Sequence, residues 1–431
     1  MIPSSSSSHN KTPERVLSAA GDILFLAGLL FIPLAVHPEL YHAYDAAKYL
    51  LTGMICLPLF LVLSLEILLK KNYTLPFGRT LIILFAAWPV IHVISALFSQ
   101  RTGYSLRHSA FPAACMIFAF AAGTRAAKRG IPYKMGFLLG GVLFLSAIYG
   151  YLQYLGMDWV DLEMKRKAVA FFGNENFAAQ YIIAALPFIF GMILVMRGKY
   201  QWFFIIIFLT SFLHLLILKS RGGYVGAFMG FVFLGLLLRR RILKKSGSRG
   251  TRLVALNRKN LAIIFLGLLI TCSTFLYLDQ GEIASEIASS LGSAPESNRY
   301  RVLAWKASLN MFADYPLTGV GPGNYRFYHP LYSSIDLWKL KGTFSRIRHI
   351  RAHNDYINIL CELGAAGFLA FAGMIFYLFY FSFRKNTKFA GSRRREILTL
   401  AASAGIVSTL VQSLVDFNLY NPASGMLFWI L

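Results

Sequence analysis

Charge is scarce in this chain of 431 residues: 14% are charged, and 19 acids face 43 bases. A soluble domain of this length carries roughly a quarter charged residues, so a single water-exposed globule is excluded. Cysteine is scarce as well, with four in all. No CxxC pair and no Cys/His cluster occurs, which excludes a disulfide framework and a zinc site. The one Gly-rich run has no Lys-Ser/Thr after it and no strand before it, so it is not a phosphate-binding P-loop. The long polar stretches of a soluble protein are also missing, apart from one segment near 279–352. What fills the chain instead is apolar: 56% hydrophobic residues, 15% of the total aromatic.

The apolar residues come in blocks long enough to cross a hydrocarbon core of about 30 Å, which takes about 20 helical residues. Spans are expected near 16–36, 48–69, 80–98, 109–123, 135–155 and 177–196. Others fall near 202–218, 224–238, 260–278, 365–383 and 397–415. Residues 421–431 read as the opening of one more span, cut short. The expected class is an all-α polytopic membrane protein of about 11–12 transmembrane helices, with one large extracytoplasmic loop containing short helices. Its parts are a disordered cytoplasmic tail (1–15), nine spans (16–278), the loop with an interfacial helix (279–364), and C-terminal spans (365–431).

Basic residues orient the bundle. With the N-terminus in the cytoplasm, twenty-six of the 43 bases fall on inward connections and eight on short outward ones. The large loop therefore faces out. The formal net charge of +24 follows from the same asymmetry: the runs at Arg239–Arg241 and Arg393–Arg395 sit at span ends, where anionic lipid attracts them. Nucleic acid is not an expected partner.

Four outward segments collect polar chemistry. The first, Phe172-Gly173-Asn174-Glu175-Asn176-Phe177, opens a span. Asn174 or Asn176 suits an N-cap, and the same amides can hydrogen-bond a sugar. The second, Lys219-Ser220-Arg221-Gly222-Gly223-Tyr224, is a tight turn between spans. Arg221 there is either a snorkelling span-end residue or a bidentate phosphate ligand. The third lies in the loop. Residues 299–312 read as an amphipathic helix with Leu303, Ala307 and Met311 on one side, and with Arg301 and Trp305 one turn apart on another. A structured turn follows at Pro316-Leu317-Thr318-Gly319-Val320-Gly321-Pro322-Gly323-Asn324. The fourth, Arg351-Ala352-His353-Asn354-Asp355-Tyr356-Ile357-Asn358, opens an interfacial helix. His353 there is either a cap or a general base. A helix N-terminus and the cations Arg348 and Arg351 would hold its imidazole neutral, as a base requires.

In order, GNENFAAQ, SRGGYVG, R-x-x-x-W with PLTGVGPGN, and RAHNDYINILCELGAAG resemble the O-antigen ligase and polymerase superfamily, best its ligase-type domain, from about residue 20 to the end. The resemblance implies a membrane glycosyltransferase of the GT-C type that needs no metal or other cofactor. Its donor would be a glycan on undecaprenyl pyrophosphate. Its acceptor would be a glycan, a lipid A core or a protein, met at the periplasmic face of a bacterial inner membrane. By matching position, Arg221 and Arg301 would hold the leaving pyrophosphate and His353 would orient or deprotonate the acceptor hydroxyl. Arg299, Arg348, Arg351, Asn174, Asn176, Asn354 and Tyr356 are further candidates for substrate contact. Arg299 competes with Arg301 for the loop role. The lack of an Asp-x-Asp motif agrees with charge neutralisation by arginine.

Ligation, polymerisation and transfer to protein Ser or Thr share this donor site, and the residues leave the acceptor open. A solute transporter is the reading of another class. It would place ionisable groups at mid-membrane and show inverted repeats; here Asp22, Glu66 and Asp416 lie near span ends, and no repeat is visible.

Overall fold

The computed structural model describes residues 11–40, 43–69, 78–128, 130–158, 168–244, 258–279, 296–339, 350–383 and 393–431. Among these, every regular element is a helix. The first nine are α1 (Lys11–Leu34), α2 (Asp45–Leu69), α3 (Arg79–Leu97), α4 (Thr102–Ala126), α5 (Ile131–Tyr154), α6 (Glu175–Val195), α7 (Lys199–Ile217), α8 (Arg221–Lys244) and α9 (Arg258–Asp279). The polar segment after α9 adds α10 (Glu296–Asp314), α11 (Tyr325–Tyr332) and α12 (Ile335–Lys339). The chain then runs through α13 (Asp355–Phe383), α14 (Arg393–Gln412) and α15 (Pro422–Ile430).

Ten of these, α1–α9 and α13, are long and apolar enough to cross a membrane. The chain is an all-α multi-pass membrane protein. Helix α2 shows why. Leu50, Met54, Leu57, Leu61, Leu65 and Leu68 form an exposed stripe, while Ile55, Leu59 and Leu63 on the other side are buried. A helix apolar on both sides has protein on one and lipid on the other.

The expected span near 397–415 takes a different form. Helix α14 is not among the ten: Arg393–Glu396 and Gln412 bound its apolar run at 397–411, and Ala401, Ala402, Ser403, Ala404, Gly405, Ser408 and Thr409 stand within that run. All seven are buried, and α14 packs chiefly against α8 and α6. Small residues let backbones approach closely inside a membrane bundle, which gives α14 an interior place. Helix α6 is itself almost wholly buried. The short helix α15 is buried along its whole length against α4 and α6. Asn421 caps it, its side chain accepting from the Ala423 and Ser424 amides at 3.1 and 3.3 Å.

The expected interfacial helix and the span after it are both present; they are labelled together as α13, and the backbone leaves helical geometry between them at Gly364 (φ 65°, ψ −165°). The kink frees backbone groups that must find partners, and the Gly-rich turn supplies them. Val320 and Gly321 donate to the carbonyls of Cys361 and Glu362 at 2.9 and 3.0 Å, and Ala365 donates to Pro316 O at 2.8 Å. Ser95 on α3 donates to both Thr318 O and Glu362 O, at 2.6 and 2.8 Å. The turn needs glycine: Gly319, Gly321 and Gly323 have φ of 68°, 97° and 75°. A Cβ on Gly321 would lie 2.4 Å from the Ser99 side chain. Gly321→Val is expected to destabilise the protein by at least ~1–3 kcal/mol, the usual cost of such strain. Thermal unfolding in detergent checks this; a variant as stable as the parent would show that the turn does not set the kink.

Candidate active site

The ends of several helices converge on residues 350–358, and the reason is a dense set of hydrogen bonds to backbone groups. Trp305 of α10 donates its indole N–H to Ala352 O at 2.9 Å. The Asp355 amide donates to Ser413 O at 2.9 Å, and Asn354 Nδ2 donates to Leu414 O at 2.9 Å. In return, the Asp355 carboxylate accepts from the amides of Asn418 and Leu419 at 2.8 and 3.2 Å. Residues 352–355 are thus fixed between the loop helix and the segment 413–419 that follows α14.

His353 is held in this frame with φ of 51°. Its Nδ1 lies 3.6 Å from Asp416 Oδ1, ion-pair rather than hydrogen-bond range. Its ring meets Phe417 edge-on at 5.1 Å, and Phe417 meets Phe177 at 5.5 Å. Phe177 belongs to the first outward segment, so that segment and His353 share a wall.

The Arg221 turn joins the same assembly. Ser220 donates to Asn176 Oδ1 at 2.8 Å and accepts from the Gly223 amide at 3.3 Å, starting α8. Asn174 caps α6, accepting from the Asn176 amide at 2.8 Å. A Cβ on Gly222, next to Arg221, would lie 3.0 Å from Val415, the neighbour of Asp416. Lys219 pairs with Asp279 at 2.7 Å, tying the turn to the end of α9. Behind the first segment stands Lys48, 1% exposed. It donates to the carbonyls of Ala35, Tyr44 and Phe171 at 2.8, 3.0 and 2.7 Å, using all three of its protons.

Strain marks the same places. Among the described residues, Ala168, Ala170, Lys219 and His353 are the non-glycines with left-handed φ. All four lie in, or just before, outward segments that the sequence singles out. Such conformations cost about 1–3 kcal/mol each and persist where the surroundings over-determine them.

The candidate residues take three kinds of position. Arg221, Arg301 and His353 sit on the elements that meet here; Arg301 is one turn before Trp305 and half-buried, while Arg299 is exposed. Asn174, Asn354 and Tyr356 use polar atoms as fasteners. Asn354 Oδ1 also accepts from the Ile357 amide at 3.1 Å, and Tyr356 donates to Leu410 O at 2.8 Å. Arg348 lies outside the described residues. Arg351 turns the other way, its guanidinium 3.8 Å over the Tyr420 ring, at a cavity of about 340 Å³ that Arg107, His108, Phe111 and Glu362 also line. Burial, reinforced by Glu362 and opposed by Arg351, pushes the Tyr420 phenol well above its ordinary pKa. It stays a neutral platform for the cation.

Sequence reasoning missed Asp416, Phe417 and Tyr420 because no local pattern marks them. Their signal is only that polar residues persist after Gln412, where a span would stay apolar. Residues 205–372 match a protein-family model described as O-Antigen ligase. That stretch contains Arg221, Arg301 and His353 and stops short of Asp416. No curated protein matches the chain.

Proposed function

We propose that the chain, whose residues 205–372 match the family model described as O-Antigen ligase, is a membrane glycosyltransferase that moves a glycan from undecaprenyl pyrophosphate to an acceptor at the outer face of a bacterial inner membrane. The observation that carries the reading is the placement of His353 beside Asp416, in one wall with the turn that bears Arg221.

The acceptor hydroxyl attacks the anomeric carbon as the bond from that carbon to the pyrophosphate oxygen breaks. The departing oxygen keeps the electron pair, and Arg221 and Arg301 meet the charge that develops on it. His353 takes the hydroxyl proton, and Asp416 faces the imidazolium that results. Pyrophosphate is already a good leaving group, so two guanidinium groups suffice where other transferases use a divalent cation. Ligation, polymerisation and protein glycosylation share this donor half; the single compact loop motif favours ligation.

The test supplies the purified protein with undecaprenyl-pyrophosphate glycan and candidate acceptors, in the presence of a chelator. Transfer is expected to persist with the chelator present. No transfer to any sugar, lipid or protein acceptor, together with solute uptake into liposomes, would overturn the proposal. Arg221→Ala and Arg301→Ala are each expected to lower kcat by ~10²–10³-fold, as losing one charge-stabilising donor does. Full activity in either variant would remove that arginine from the mechanism.

A further inference from the structure

Where α3 ends and α4 begins, beside the Gly-rich turn, stands a cluster that the reaction as described does not use. Arg101, exposed just before α4, holds its guanidinium 4.1 Å over the ring of Phe327 on α11. Arg326 brings a second guanidinium to the same ring, at 5.6 Å. Tyr104 meets that ring edge-on at 5.1 Å, and Asn324 donates to Ser105 Oγ at 3.0 Å, so α11 is fixed against the start of α4. Among the described residues no carboxylate pairs with either arginine. Asp314, at the end of α10, accepts from Tyr332 instead, at 2.6 Å. Two like charges gathered on one ring repel each other, and an anion bound to both relieves that.

The apolar residues around the cluster belong to the surface that faces lipid. Ile83, Val90, Ile94 and Leu97 line one side of α3 at helical spacing, all exposed, as on a span in contact with lipid. Phe98, 75% exposed, closes that stripe three residues before Arg101. On α11, Tyr325, Tyr328 and His329 are buried, while Leu331, one turn after Phe327, is 78% exposed. A single exposed leucine is ordinary; this one shares a helix face with a ring that touches the end of a span. Arg101, Arg326, Phe98 and Leu331 therefore lie where hydrocarbon gives way to headgroups.

We propose that this patch binds an anionic phospholipid: the lipid's phosphate takes the two guanidinium groups, and its chains run past Phe98 along α3. Guanidinium forks match phosphate oxygens bidentately, and stacking on Phe327 holds them in place. A zwitterionic headgroup would bring its own cation to the two arginines, so net negative charge is selected. The bound lipid ties α11, and with it the Gly-rich turn, to the bilayer surface. The site is independent of the transferase reading.

Gly103 gives a place for a reporter, being exposed with nothing within 4 Å of an added Cβ. Cys272 is exposed and Cys56, Cys115 and Cys361 are buried, so Gly103→Cys combined with Cys272→Ser directs a fluorophore to the patch. The full chain is reconstituted in phosphatidylcholine vesicles that contain spin-labelled phosphatidylglycerol or spin-labelled phosphatidylcholine. Quenching of the fluorophore gives the relative affinities of the two lipids. Phosphatidylglycerol is expected to bind ~25-fold more tightly, about fivefold for each arginine. Arg101→Gln with Arg326→Gln is expected to remove that preference. Equal quenching by the two lipids in the parent would overturn the site, as would an undiminished preference in the folded double variant. If the double variant does not fold, salt decides. The parent's preference is expected to fall at least ~3-fold between about 0.05 and about 0.5 M NaCl, and a preference indifferent to salt would overturn the site. Loss of the preference in excess glucose phosphate would overturn the lipid assignment and make the patch a contact for a phosphorylated glycan.

Discussion

His353→Gly is expected to lower the rate of glycan transfer by ~10²–10⁴-fold, the range that loss of a general base produces, while leaving the fold as stable as before or more so. The two halves of that expectation come from different facts. In the proposed mechanism the imidazole takes the acceptor proton, and Asp416 Oδ1, 3.6 Å from Nδ1, faces the charge that forms. The backbone at 353 has φ of 51°, which glycine adopts freely and histidine does not. A residue kept only for structure would gain from the change and lose nothing; a residue kept for chemistry loses activity despite the gain. Asp416→Asn is the companion. As a positioning residue it is expected to lower kcat and leave the KM for the lipid-linked donor unchanged, because the donor phosphates are held elsewhere. Steady-state kinetics with thermal unfolding on the same preparations checks both variants. Transfer by His353→Gly at the parent rate would end the role of His353 as base. A rise in donor KM with kcat intact in Asp416→Asn would make Asp416 part of the binding surface instead.

The contrast between what the chain announces and what it hides is physical. Apolar blocks give the spans because lipid imposes a length on each. Basic connections give an expected orientation because charge crosses a membrane poorly. The Gly-rich turn at 319–323 is legible because only glycine adopts φ near 97° at Gly321 without strain. The partners of that turn are not legible: it serves a kink at Gly364 that lies forty residues on. The site divides the same way. His353, Arg221 and Arg301 sit in local patterns that a reader can recognise. Asp416 reads as a charge near a span end, and its neighbours give no hint that it meets a residue sixty-three positions earlier. Lys48, one of the eight bases that the charge pattern assigns to short outward connections, is a buried clamp on three carbonyls. Helix α14 reads as an ordinary span, and nothing local shows that its small residues are buried against α6 and α8. In each case the missing information is a contact between distant segments, which neither period nor composition encodes.

The largest stability effect is expected at the opposite end of the bundle, where Arg125 is buried among α1, α2 and α4. It is 2% exposed, with Nε 2.9 Å from Asp22 and Nη1 2.8 Å from Glu66. Lys128 completes the cluster, 2.5 Å from Asp22 and 2.6 Å from Ser18 Oγ. The guanidinium lies against the bare backbone of Gly21, where a Cβ would fall 2.0 Å from Nη2. The sequence reads these residues as cytoplasmic charge and span ends; packing turns them into an internal staple of three helices. Arg125→Met is expected to destabilise the protein by about 3–5 kcal/mol, because Glu66, 1% exposed, is left buried without its counter-charge. The double variant Arg125→Met with Glu66→Met is expected to recover most of that loss. It removes both charges, and Asp22 keeps Lys128 as its partner. Unfolding in mixed detergent micelles measures both variants and the single Glu66→Met. Losses that simply add in the double variant would show that the pair is not coupled and would end its role as a staple. Recovery in the double variant identifies the staple as a device for joining helices, separate from the site proposed at the other end of the bundle.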